Sequence, residues 1–199
     1  MRLYLLGIVI GVAACGGDDS TGSGAADAAG SGVGSDAATI DSPPALFALT
    51  SPTITEGGVI PLTHVCTNQG GMNLSPQLAF ANVPAGTMSF AVVLTDLTNS
   101  FVHSAIYDIP STATALPADV EKVYAPTDVP GAHQTVSISG GRGYAGPCPG
   151  TVHTYQFKVY ALATATLPGS VMSTSRTEVV TAAATNLGTA TLTATYTPP

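Results

Sequence analysis

The sequence predicts a mainly β domain with one late helix, and three observations carry that expectation. A nearly continuous apolar run rich in β-branched residues spans Ser89 to Thr95, a second strand-length run begins at Val102, and residues 153–162 and 189–196 alternate with a period of two. Helical spacing is read only after Ser175.

The run Ser89-Phe90-Ala91-Val92-Val93-Leu94-Thr95 suits a strand covered on both faces, and therefore a central one. Val102 to Ile109 reads as its successor, ended by Pro110. In His153 to Leu162, alternation sets His153, Tyr155, Phe157, Val159 and Ala161 on one face and Thr154, Gln156, Lys158, Tyr160 and Leu162 on the other. Ser175-Arg176-Thr177-Glu178 fits a capping box, in which the Ser hydroxyl accepts from the Glu178 amide and the Glu carboxylate accepts from the Ser175 amide. Val179, Val180, Ala183, Ala184 and Leu187 follow at helical spacing, with Gly188 as the expected stop. Thr189 to Tyr196 then sets Ala190, Leu192, Ala194 and Tyr196 against threonines, as a half-buried closing strand does.

The N-terminus reads differently. Arg2 precedes the apolar run Leu3 to Val12, which is too short to cross roughly 30 Å of hydrocarbon and fits a signal-peptide core. An ordinary secretory signal is one reading. The small residues in Val12-Ala13-Ala14-Cys15 resemble a bacterial lipobox, which makes residues 1–15 a lipoprotein signal peptide and Cys15 the lipidated residue. Several acyl chains on one cysteine anchor stably, because each buried methylene contributes about 0.8 kcal/mol. Residues 16–45 are Gly, Ala, Ser, Asp and Thr with almost no large apolar side chain, the composition of a disordered tether. Such a coil of about 30 residues spans roughly 30 Å. Residues 46–199 form the domain, and the expected location is the cell envelope, on the outer-membrane or surface side because Gly16 is not an inner-membrane retention signal.

Net charge is −7, and five of the twelve acids lie before residue 46. Beyond Arg2 of the leader, four scattered cations, Lys122, Arg142, Lys158 and Arg176, make no stripe that could neutralise phosphates, so nucleic acid is not an expected partner. His64, His103, His133 and His153 show no His-x-x-x-His spacing, and no metal or cofactor is expected. A serine hydrolase is not expected either. There is no Gly-x-Ser-x-Gly elbow, and simple strand alternation puts Ser104 on the face opposite its neighbour His103.

The stretch Gly143-Tyr144-Ala145-Gly146-Pro147-Cys148-Pro149-Gly150, followed by His153-Thr154-Tyr155, is a rigid loop feeding a strand, as at a pocket rim. Together with Asp96 and His103 it resembles the phosphatidylethanolamine-binding protein (PEBP) family, in its bacterial YbhB/YbcL-like or Raf-kinase-inhibitor-like branch. Further segments match in order: Phe47 to Pro52, Gly58 to Pro61, Asn73 to Leu78, Pro84 to Phe90, and Phe101-Val102-His103. The resemblance implies a PEBP-like β-sandwich with a few short peripheral helices. It also implies a small cavity that accepts phosphate or a phospholipid headgroup, lined here by Asp96, His103, Cys148, Pro149, His153 and Tyr155.

Imidazole N–H groups and loop amides would donate to the anion, while the carboxylate fixes a histidine tautomer or accepts from an ammonium. The family usually has Pro-Asp-x-Pro where this chain has Leu97-Thr98-Asn99-Ser100, tryptophan where it has Ser104, and arginine where it has Thr154. The last change implies weaker anion binding than in typical members. Many bacterial members carry cysteines at the positions of Cys66 and Cys148, which implies a disulfide between them; two buried free thiols are the alternative. Such a bridge contributes on the order of 4 kcal/mol in the chain-entropy model. The expected function is a non-catalytic binding domain, with the membrane met through the N-terminal lipid. Relatives that inhibit kinases or a serine carboxypeptidase make the second reading an envelope protein partner, such as an inhibited peptidase.

Overall fold

A computed structural model describes residues 45–199; the leader with Cys15, and the tether apart from Ala45, lie outside the described residues. Nine strands follow in chain order: β1 (Ala48–Thr50), β2 (Gly58–Val59), β3 (Leu78–Ala81), β4 (Ser89–Asp96), β5 (Phe101–Pro110), β6 (Ala115–Leu116), β7 (His133–Gln134), β8 (His153–Leu162) and β9 (Gly188–Tyr196). One α-helix, α1 (Arg176–Ala182), and two short 3-10 turns, Leu62–His64 and Thr67–Gln69, complete them.

The strands make a six-stranded sheet in the order β2-β9-β8-β4-β5-β7 and a three-stranded sheet in the order β1-β3-β6. As its unbroken apolar run predicts, β4 is interior, with β8 on one side and β5 on the other, both antiparallel. The face of the large sheet carrying Phe90, Val92, Leu94, Tyr155, Phe157 and Val159 packs on Leu49, Leu78, Phe80 and Leu116 of the small sheet. That is the sandwich core. The opposite face, with Ala91, Val93, Ala105, Tyr107, Tyr160 and Leu162, is covered by Leu167 and by Val179 and Ala183 of the helical segment. Fully burying a valine such as Val179 contributes about 1.5–3 kcal/mol.

The capping box forms as predicted: Glu178 N–H donates to Ser175 Oγ at 3.3 Å, and Ser175 N–H donates to Glu178 Oε2 at 2.6 Å. The helix is shorter than its periodicity suggested. It ends at Ala182, five residues before Leu187, and Asn186 Nδ2 donates to the Ala183 and Ala184 carbonyls just beyond that end. Gly188 is not the stop but the first residue of β9, and its α-carbon faces Pro84 so closely that a Cβ would lie 2.9 Å from Pro84 Cγ. Among the described residues no helix is long and apolar enough to cross a membrane.

The β4–β5 ladder is irregular in two places. Phe90 pairs with Ile109 but Val92 with Ile106; Leu94 pairs with Ser104 but Thr95 with Val102. Each shift leaves one extra residue on β5, and the second extra residue is His103.

Candidate functional site

The end of β4, the start of β5 and the start of β8 meet at one edge of the large sheet. Asp96 pairs with Phe101 on one side and with Tyr155 on the other. Antiparallel pairing puts directly opposed side chains on one face, so Asp96 and Tyr155 share the face that carries Leu94. His153, two residues before Tyr155, shares it too.

His103 reaches that face by the bulge. Ser104 opposes Leu94, and the extra residue His103 turns to the same side, where its ring stands edge-on to Tyr155 at 5.4 Å between centroids. The strand-alternation reading that put Ser104 on the opposite face from His103 is therefore corrected: a bulge breaks the period of two at this point. Ser104 lies deeper along the face and makes no hydrogen bond with either imidazole among the described residues.

Asp96 is 2 % exposed and is fully engaged. His153 Nδ1 donates to its Oδ2 at 2.6 Å, and the Thr98 amide donates to its Oδ1 at 2.9 Å. The Tyr155 hydroxyl is directed at the same carboxylate and at the Cys148 amide; burial first, and then the Asp96 charge, hold that phenol well above its ordinary range. His153 also stacks on Tyr155, at 6.3 Å. His103 Nδ1 donates to the Ala145 carbonyl at 3.1 Å. Burial depresses the His103 pKa, opposed in part by that carbonyl and by Asp96.

The loop that closes the site is tied to the segment 64–73. Cys66 and Cys148 form a disulfide with 5.4 Å between α-carbons, as the resemblance implied. Around it, Cys66 N–H donates to Pro147 O, Gln69 Nε2 to Pro149 O, and Gly146 N–H to Asn73 Oδ1. Gly146 has no alternative residue type here, because a Cβ would lie 2.0 Å from the His64 carbonyl oxygen. Cys148 is exposed and Pro149 buried. The amides of Gly150, Thr151 and Val152 make no hydrogen bond within the described residues, so they are free to donate outward.

All six residues expected at the site thus lie on these elements. The sequence reading missed the Ala145 carbonyl and the Thr98 amide, because backbone groups leave no residue-type signal. The other two histidines are elsewhere: His64 is bonded to Leu74 O and Thr53, and His133 to Asp108. Among the described residues no group of three metal-ligating side chains forms.

Comparison with known proteins gives the family and the fold. Residues 50–197 match the family described as phosphatidylethanolamine-binding protein. The chain is 37% identical over 133 residues to the UPF0098 protein YbcL of Escherichia coli, covering 62% of this chain and 73% of that protein. It is 35% identical over 129 residues to a UPF0098 protein of Aquifex aeolicus, covering 62% and 72% respectively. The crystal structure of E. coli YbcL, described as a new member of the mammalian PEBP family, superposes with a TM-score of 0.70 at 36% identity, over 78% of this chain and all (100%) of that one. A PEBP homologue of Chlamydia trachomatis, at 24% identity and a TM-score of 0.63, shares the fold over 77% of this chain and 98% of its own. With residues 50–197 matching the family and its two-sheet fold shared with YbcL, the chain belongs to the phosphatidylethanolamine-binding protein family.

Proposed function

We propose that this domain is a lipid-anchored, extracytoplasmic binding module that takes a small anion, phosphate or a phospholipid headgroup, and carries out no reaction on it. The observation that carries the reading is the meeting of Asp96, His103, His153 and Tyr155 beneath the Cys148–Pro149 loop. The free amides of Gly150, Thr151 and Val152 supply donors for oxygens, an imidazole adds one at Nε2 only when protonated, and the buried carboxylate orients His153. The absence of a nucleophile bonded to either histidine among the described residues supports binding over turnover. Anchoring rests on the lipobox-like Val12-Ala13-Ala14-Cys15.

The test is an NMR titration of the disulfide-intact protein with phosphate, phosphoethanolamine and a zinc salt, repeated with His103→Ala and His153→Ala. Shifts at Asp96, His103 and His153 with a phospho-ligand, lost in both variants, are expected. Silence with every phospho-ligand overturns the reading. For the anchor, Cys15→Ser should move the protein from the membrane fraction to the soluble one.

A further inference from the structure

Both histidines at the site are held in one tautomer. A carbonyl oxygen can only accept, so His103 Nδ1, 3.1 Å from Ala145 O, carries the proton. An ionised carboxylate can only accept, so His153 Nδ1, 2.6 Å from Asp96 Oδ2, carries its proton too. In the neutral form each ring therefore has a bare lone pair on Nε2. Neither Nε2 has a hydrogen-bond partner among the described residues, and neither is sealed from solvent. At neutral charge the histidines offer an incoming ligand two acceptors and no donor.

The fixed charges sharpen the point. Asp96 lies directly beneath His153, and the cations of the described residues are engaged elsewhere: Lys122 on Asn73 O, Arg142 on Gln134 O, Lys158 over the Tyr160 ring and Arg176 on Val136 O. The groups facing the two imidazoles are Asp96 from β4, Tyr155 from β8 and, at longer range on His103, Arg176 from α1; Tyr196 of β9 stands near Tyr155. A doubly charged anion placed here meets a carboxylate and two lone pairs, with loop amides as neutral donors. That repulsion is removed when one proton enters.

Resting on the anion-binding reading above, we propose that the site takes up one proton with every fully ionised anion it binds, held between the anion and Nε2 of His153, so that its ligand class is the singly protonated phosphate monoester. His153 is the proton's place because Asp96 is bonded to it and balances an imidazolium there, whereas His103 is the more deeply buried ring and has no carboxylate bonded to it. The balance is simple: the proton comes from solvent, the Nδ1–H bond to Asp96 persists, and the new N–H···O bond joins Nε2 to the ligand. A phosphate monoester, whose second pKa is about 6, can bring this proton itself. Sulfate, which stays doubly ionised across the working range, cannot.

Sulfate is accordingly the clean probe. Its affinity for the full chain is measured by calorimetry from about pH 6 to about pH 8.5, in paired buffers of different ionisation heat. Where the free site lacks that proton the expected loss is about tenfold per pH unit, with about one proton taken up per sulfate bound. His153→Gln, whose carboxamide donates at any pH, should flatten that slope. Sulfate binding that is independent of pH, or a slope that survives in His153→Gln, overturns the proton-linked site while leaving anion binding intact. No binding of either sulfate or methyl phosphate near pH 6 overturns both.

Discussion

Asp96 and His153 are joined by a 2.6 Å hydrogen bond from Nδ1 to Oδ2, between strands that pair directly through β4 and β8. The carboxylate also accepts from the Thr98 amide, so it organises the hairpin tip as well as the imidazole. Asp96→Ala leaves the Thr98 amide, whose bond is part-buried, and the His153 ring N–H without their acceptor. The expected cost is about 2–3 kcal/mol in urea unfolding, from unmet donors. The same variant should lose the phospho-ligand response, with His153 free to rotate. Unchanged stability would mean that the pair is not formed in solution.

The disulfide links residues 82 apart and sits in the loop whose amide faces Tyr155. Cys66→Ser with Cys148→Ser should cost on the order of 4 kcal/mol, since the unfolded chain regains the freedom of a long loop. Urea midpoints of the double variant, and of the parent protein with dithiothreitol, should agree with each other. The bonds from Gln69, Cys66 and Gly146 remain, so the folded loop should keep its position while stability falls.

His103 gives a pH signature. Burial holds its folded pKa below the ordinary 6.5, so between those two values the unfolded chain binds more protons than the folded one. Stability contributed by neutral His103 is thus fully present above about pH 6.5 and is lost as pH falls below it. Unfolding free energy should rise with pH up to that point, and the slope should shrink in His103→Gln. An NMR titration in which the His103 ring changes at or above the free-imidazole value would contradict this.

Much of this was legible in the sequence for physical reasons. The unbroken Ser89–Thr95 run announced a strand buried on both faces, and the alternation in 153–162 placed Tyr155, Phe157 and Val159 correctly on the core face. The Ser175–Glu178 box marked the start of the helix because capping is local chemistry. Its end was misjudged because periodicity does not register a side-chain bond such as that of Asn186 to the Ala183 carbonyl, just beyond the helix. The bulge at His103 was missed for a related reason. A bulge is a property of two paired strands, and a single strand's pattern carries no sign of which residue its partner will skip. The small sheet was also hard to see, since β1 and β6 have three and two residues and owe their form to β3 between them.

The bulge has one more consequence, at Ser104. Its side chain shares the core face with Leu94 and lines a cavity of about 40 Å³ with Val92, Leu94, Ile106, Leu116 and Phe157. Ser104 pairs with Leu94 through the backbone and its hydroxyl bonds neither imidazole, so replacing it leaves both histidines' partners in place. Ser104→Val would put methyl groups into apolar space at a strand position that favours β-branching. The gain should be about 1 kcal/mol in urea unfolding, near the value of one buried methylene. Ser75 and Gln134 also line the space. If Ser104→Val instead destabilises, the cavity holds water bonded to those polar groups and to the Ser104 hydroxyl, and the substitution has dislodged it.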